Sequence, residues 1–229
     1  MAALVLGKSS ESKYNPDVVN VKQGPTFAEE EELWRQGYRS VAGIDEVGRG
    51  PLAGPVAAAA VILSPASKPD WLFQVRDSKK LSPGKRGFLS ECIRREALAV
   101  GIGVVGPETI DSQGIVAATK MAMCAAVIKL AVKADFLLID ALTISELELP
   151  QKGIIRGDNL SFSIAAASIV AKVYRDRLME EYDSLYPGYG FARHKGYPTT
   201  RHLESLRRLG CCPIHRRSFA PVRGLKDGR

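Results

Sequence analysis

Apolar residues recur along this chain in two rhythms. Residues 41–44 (VAGI) and 56–63 (VAAAAVIL) are short runs of small and β-branched residues, separated by glycine or proline at 48, 50, 51, 54 and 55. Runs of this kind bounded by such breakers predict two strands in a hairpin-like pair. Asp45 and Glu46 stand at its rim, where the first run ends. Residues 97–105 form a third β run, broken by Gly101 and Gly103. Residues 136–139 (FLLI) form another, short and continuously apolar, of the type buried on both faces of a parallel sheet. It terminates in Asp140.

Between these runs the period lengthens to that of a helix. Thr26 is placed to cap a short helix with Glu29, Glu30, Glu31 and Glu32 in its first turn, ending near Gly37. Ser82 followed by Pro83 marks the start of a second helix. Residues 115–133, rich in Ala and Met with charge only at Lys120, Lys129 and Lys133, predict one long, largely buried helix. Residues 160–182 align Ile164, Ala167, Ala171, Val173 and Leu178, and the small residues at 165–168 would let this helix lie close to a sheet. Thr199 or Thr200 opens a last helix, with Leu203, Leu206 and Leu209 inward, Arg201, Arg207 and Arg208 outward, and Gly210 closing it. The alternation predicts an α/β fold. Residues 1–25 are polar and aperiodic and are expected to be a disordered leader. Residues 26–190 are expected to be the main domain, and 191–229 a basic helical appendage whose end, past Phe219, frays.

With 229 residues and 45% apolar content, the chain can bury a full core. No apolar run approaches the roughly 20 residues that span a bilayer, and the start lacks a secretory pattern; the expected compartment is the cytoplasm. Cys92, Cys124, Cys211 and Cys212 form no disulfide framework and are expected to be reduced. Adjacent Cys211 and Cys212 with His215 lack a fourth zinc ligand. The formal charge is +7, yet residues 193–229 alone hold ten Lys and Arg against two acids. That asymmetry points to a polyanion partner. In the same region Tyr186, Tyr189, Phe191 and Tyr197 interleave with Arg193 and Lys195, a mixture suited either to holding nucleic acid or to packing a loop. His194, His202 and His215 read as hydrogen-bonding surface histidines, because the hard metal inferred below prefers oxygen.

Each acid admits two readings. Asp45 and Glu46 are poor strand residues; they form either a solvated turn or a hard-oxygen site for Mg²⁺ or Mn²⁺. A regular strand would send them to opposite faces, so sharing one metal site requires the strand to end or bulge there. Asp140 lies beyond the carboxyl end of a strand, where open α/β sheets bind ligands, or it caps a turn at Ala141. Asp158 directly precedes a helix, as an N-cap or as a ligand. Lys79 and Lys80 are solvated or contact phosphates. Gly48, Arg49 and Gly50 form a turn needing positive φ, or one that lets a ligand approach the backbone.

In combination, GIDEVGRGPLAGPV at 43–56, DSKKLS at 77–82, FLLIDA at 136–141, GDNLSFSIAAASIVAKVYRDR at 157–177 and HKGYPT at 194–199 resemble bacterial ribonuclease HII over roughly residues 28–219. The resemblance implies a ribonuclease H-like fold: a mixed sheet with its early strands antiparallel and the 136 strand parallel to the first, helices on both sides, and a helical C-terminal appendage. It implies an endonuclease that cuts the RNA strand of RNA–DNA hybrids and at ribonucleotides embedded in duplex DNA, leaving 3′-hydroxyl and 5′-phosphate ends. Asp45, Glu46, Asp140 and Asp158 would hold two Mg²⁺ or Mn²⁺ ions. Tyr197 with the Gly48-Arg49-Gly50 turn would sense the RNA-to-DNA junction, and Lys79 would contact phosphate. A monomer away from membranes is expected. Tyr174 departs from the Thr common at its position, which bears on helix packing more than on catalysis.

Overall fold

A computed structural model describes residues 24–66, 68–75 and 78–225; residues 1–23 of the expected leader, and Asp77 of the DSKKLS motif, lie outside these. Five strands form one mixed sheet in the order β3-β2-β1-β4-β5, namely β1 Val41–Val47, β2 Val56–Ile62, β3 Ala99–Val105, β4 Phe136–Asp140 and β5 Gln151–Ile154. β1 pairs antiparallel with β2 and parallel with β4, as the resemblance implied. The short β5, which the sequence pattern did not announce, adds a parallel edge.

The helices are α1 Ala28–Arg35, α2 Pro83–Glu96, α3 Pro107–Gln113, α4 Ile115–Ile128, α5 Phe162–Leu185, α6 Phe191–His194 and α7 Thr200–Leu209. Alternation along the strands divides the core between two faces. Ala42, Ile44, Ala58, Ala60, Leu137 and Ile139 pack with α4, whereas Ala59, Val61 and Leu63 pack with α5. The helix expected over residues 115–133 ends at Ile128, and only one stripe of it is buried, at Ala118, Thr119, Ala122, Met123 and Ala126. Val116, Met121 and Ile128 are exposed. A helix rich in Ala and Met has no polar face to reveal its orientation. At its end Leu130 N–H turns back to Val127 O at 3.1 Å and the Leu130 side chain enters the core. Up to residue 225, the last one described, the chain does not fray after Phe219, because Val222 is fully buried against Leu52, Leu206 and Cys211.

α5 lies close against the sheet as expected, with its tightest approach at Ser163 and Ile164, just before the small-residue run. A Cβ on Gly43 of β1 would fall 2.1 Å from Ser163 C and 2.3 Å from Ile164 N, so strand and helix touch backbone to backbone. The N-terminus of α5 is capped by Ser161, whose Oγ accepts from Ile164 N–H at 3.2 Å. Ser161 Oγ donates in turn to Glu30 Oε1 at 2.6 Å, and Ser163 N–H donates to the same oxygen at 2.9 Å. Glu30 is fully buried on α1, and its second oxygen has no partner.

Burial pushes the Glu30 carboxyl above its usual 4.5, against the hydrogen bonds that favour its charge. A carboxyl with a raised folded value keeps its stabilising contribution below the unfolded value and loses it as pH climbs through the folded one. Glu30→Gln keeps an acceptor for Ser161 and Ser163 without a charge to bury. In urea denaturation its stability relative to the parent is therefore expected to improve as pH rises above 4.5. A constant difference across that range would refute the assignment.

Candidate active site

Three acids meet at the carboxyl ends of β1 and β4. The parallel register pairs Ile44 with Ile139, so Asp45 and Asp140, one residue further on each strand, stand side by side at the strand spacing of about 4.8 Å. Both point to the α5 face. β1 neither ends nor bulges at Asp45 and Glu46 but continues regularly to Val47, with both paired to β2. Glu46 consequently faces the other way, yet at the rim its carboxylate still feels that of Asp140. Asp158 arrives from beyond β5 on a 3₁₀ turn, Gly157–Asn159. The preceding Gly157 N–H donates to Asp140 Oδ1 at 2.7 Å, tying the two segments together. Since Ser161 caps α5, the buried Asp158 carboxylate does not serve as N-cap; its Oδ1 accepts from Asn159 Nδ2 at 2.7 Å.

Electrostatics at this rim are unfavourable as it stands. Asp45 is held well above the ordinary carboxylate range, first by burial and then by Glu46 and Asp140, while hydrogen bonds from Ser168 and Glu46 N–H pull the other way. Burial also raises Glu46 and Asp140. Glu46 Oε2 is buried without a partner. Crowded carboxylates and an orphaned oxygen fit a hard divalent cation. Among the described residues no group of three or more His, Cys, Asp or Glu side chains is close enough together to hold a metal ion by itself; an ion at this rim would have to keep waters and take substrate oxygens.

The turn after β1 is fixed from beneath by two arginines. Arg216 is fully buried and donates to Gly48 O at 2.5 Å, Arg49 O at 2.8 Å and Gly54 O at 3.0 Å. Arg175, also fully buried, donates to Pro55 O at 2.9 Å, Ala53 O at 3.1 Å and Lys195 O at 3.0 Å. Burial lowers their values to about 9 and about 10, respectively. Gly48 has φ +92°, and a Cβ there would strike Arg175 Nε at 2.2 Å. The Arg49 side chain leans back to Glu46, Nη1 to Oε1 at 3.1 Å. Leu52 N–H donates to Gly196 O at 2.8 Å. The ring of Tyr197, 42% exposed, comes within 3.8 Å of where a Cβ on Gly50 would stand. Thus the turn and Tyr197, about 150 residues apart in sequence, form one surface beside the acids.

The family profile described as Ribonuclease HII matches residues 42–222. This chain belongs to the ribonuclease HII family. Ribonuclease HII of Dehalococcoides mccartyi strain 195 is 54% identical over 203 residues, covering 89% of this chain and 96% of that one. Among solved structures, the ribonuclease H2 of Pyrococcus horikoshii is 26% identical with a TM-score of 0.68 over 80% of this chain and 95% of that chain. Bst-RNase HIII, solved in complex with Mn²⁺, shares the fold at 19% identity and a TM-score of 0.58, over 94% of this chain and 74% of that one. Membership makes the chain a ribonuclease H, a metal-dependent endonuclease that acts on RNA–DNA hybrids.

Several residues of this ribonuclease HII site escaped the sequence reading. Ser168 faces Asp45 and exchanges a hydrogen bond with Ser78 Oγ at 3.0 Å. Arg86 donates to Ser78 O at 3.0 Å and Leu81 O at 2.6 Å, shaping the turn that carries Lys79. Lys79 is exposed and its charge favours ionised Asp140, so it borders the acids. A groove of about 550 Å³ lies between α2, α5 and α6, lined by Arg86, Lys172, Arg177, Arg193 and Lys195 against Asp176 and Glu180. The signal for Arg175 was its position, seven residues after Ser168 on the apolar stripe of α5. Among the described residues, the non-glycines with positive φ are Ala141, Arg156 and Lys195. Each lies within two residues of Asp140, Asp158 or Tyr197, where strained backbone commonly gathers. No helix among the described residues is long and apolar enough to cross a membrane.

The histidines depart from expectation. His194, His202 and His215 are buried and cluster around Phe191. The appendage that carries them folds back on the Gly-Arg-Gly turn, the return that the pairing of Tyr197 with that turn implied, and its packing buries the histidines.

Proposed function

We propose that Asp45, Glu46, Asp140 and Asp158 hold two Mg²⁺ or Mn²⁺ ions and that the chain cleaves both RNA–DNA hybrids and single ribonucleotides embedded in duplex DNA. The observation that carries this reading is the side-by-side placement of Asp45 and Asp140, with Asp158 tethered through Gly157 N–H. When bound, such an ion pair activates the attacking water and stabilises the departing oxygen, leaving 3′-hydroxyl and 5′-phosphate ends. The acids fix its position, with Ser168 and Gly157 orienting their carboxylates.

Recognition falls to the surface beside them. Backbone groups of residues 48–50 meet the ribose 2′-hydroxyl, the Tyr197 ring packs on the neighbouring sugar, and Arg49 and Lys79 contact phosphates. The basic groove carries the flanking backbone, which makes binding fall steeply with salt. In this reading residues 26–190 supply the chemistry and 191–229 complete the binding surface. In this reading a monomer suffices for the site, and the four free cysteines suit the reducing cytoplasm.

The test uses three labelled duplexes, all-DNA, hybrid and single-ribonucleotide, with Mg²⁺ or Mn²⁺. Cleavage of the last two alone is expected, and cutting of the all-DNA duplex at a comparable rate would defeat the reading. Tyr197→Ala is expected to lower cleavage at a single ribonucleotide about tenfold or more, the loss of one stacking contact of roughly 1–3 kcal/mol. An unchanged rate removes Tyr197 from recognition.

A further inference from the structure

All three histidines of the chain lie in one buried cluster directly beneath Tyr197. A backbone N–H can only donate, and this fixes where each ring carries its proton. Cys212 N–H points at His215 Nδ1 at 3.0 Å, with Cys212 Sγ at 3.1 Å as a second donor, so Nδ1 accepts and the His215 proton resides on Nε2. His215 Nε2 lies 3.1 Å from His202 Nε2, which must therefore accept. The His202 proton is then on Nδ1, 2.9 Å from Tyr197 O, to which it donates. The reverse assignment would set Cys212 N–H against His215 Nδ1–H and a bare His202 Nδ1 against a carbonyl. The longer contact of His215 Nδ1 with Cys212 O, at 3.3 Å, does not offset those two conflicts. His194 follows the same logic independently: Nδ1 accepts from Gly196 N–H at 3.2 Å, and Nε2–H donates to Tyr189 O at 2.9 Å.

We propose that His215 and His202 form a fixed-tautomer relay that positions Tyr197 for junction recognition. The relay rests on the reading of Tyr197 given above. Its output is the Tyr197 carbonyl, which also accepts from Thr199 N–H at 2.8 Å, while Tyr197 N–H donates to His194 O at 2.9 Å. The peptide units flanking the tyrosine are thus held by two histidines, and the ring is left against Gly50. Its input is Cys212 N–H, on the segment that ends in Arg216 beneath the same turn. Both faces of the recognition surface are therefore set by one stretch, residues 212–216. Burial pushes His202 and His215 down to about 4, so both rings are neutral at physiological pH, as a relay of single protons requires.

Ring ¹⁵N spectra of histidine-labelled full-length protein at neutral pH test this directly. The expected pattern is an Nδ1–H tautomer for His202, the less common form in water, with Nε2–H for His194 and His215; peaks are assigned by single substitutions. An Nε2–H or doubly protonated His202 overturns the relay without touching the role of Tyr197. The functional arm compares His215→Leu, which removes the donor, with His215→Gln, whose amide can restore it. His215→Leu is expected to reduce kcat/KM at a single ribonucleotide about tenfold, the effect of one hydrogen bond near 1.4 kcal/mol, and to shift the ¹⁵N resonance of His202 Nε2, which loses its donor while the Tyr197 carbonyl keeps the proton on Nδ1; His215→Gln is expected to recover both. Equal activity or equal loss in the two variants refutes a positioning role. Should Tyr197→Ala itself leave cleavage unchanged, the recognition reading falls and the relay loses its function, whichever tautomer is seen.

Discussion

Asp45→Asn is expected to cut turnover of a single-ribonucleotide duplex by about 10²–10³-fold or more, the loss that follows removal of one preorganised electrostatic group. In the proposed reading, binding of the uncut duplex persists, because the basic groove carries its flanking backbone. The same substitution should not weaken the metal-free fold. Asp45 is 6% exposed, next to Glu46 and Asp140, and its charge is opposed first by burial and then by both neighbours. A neutral amide of the same shape avoids that cost and keeps an oxygen for Ser168 and Glu46 N–H, so the variant should melt at or above the parent temperature. Mn²⁺ or Mg²⁺ should then raise the melting temperature of the parent by mass action, and that of Asp45→Asn less. Turnover assays with melting curves, with and without metal, decide the matter. Full turnover in the variant, or equal metal-induced shifts in both proteins, would contradict the proposed role.

The local half of this site was legible because its chemistry sits in short segments. Asp45 and Asp140 each follow an apolar run, and the end of a buried strand is where a carboxylate is least explained by solvation. Asp158 was ambiguous from sequence, since an Asp before a helix is ordinarily its cap; only the placement of Ser161 at the start of α5 settles which residue caps. The regularity of β1 through Asp45 and Glu46 was not legible, because the glycines at 48 and 50 argue for a break that comes after Val47 instead. What the sequence hid is non-local. Arg175 and Arg216 bind backbone carbonyls of the 48–55 turn, 120 or more residues away, and have no carboxylate partner in sequence to betray them. The buried histidines were hidden for the same reason: a polar ring in a helix of strongly charged surface, such as His202 on α7, reads as exposed until the partner segment at 212–216 is in place. Glu30, one of four consecutive glutamates, differs from its neighbours only in facing α5.

Gly43→Ala is expected to be among the most damaging single methyl groups that can be added to this chain. In a strand, alanine would ordinarily gain about 0.5–1 kcal/mol over glycine by restricting the unfolded chain. Here the new Cβ would lie 2.1 Å from Ser163 C, 2.3 Å from Ile164 N and 2.5 Å from Ser163 Cβ, all at the start of α5, where no side-chain rotation relieves the clash. The helix must move off the sheet, and overpacking of that kind costs roughly 1–3 kcal/mol or more, outweighing the entropic gain. Function should suffer beyond the loss of stability, because α5 carries Ser168 to Asp45 and Arg175 to the turn at 53–55. Gly87→Ala on α2 is the matched control for stability: a Cβ there meets nothing within 4 Å, so the usual helix preference should stabilise the protein by up to about 1 kcal/mol. Urea denaturation of both variants, with turnover measured where each is fully folded, separates the cases. If Gly43→Ala matched Gly87→Ala in stability and the parent in rate, the close contact of β1 with α5 would not be what aligns the acids with the recognition turn.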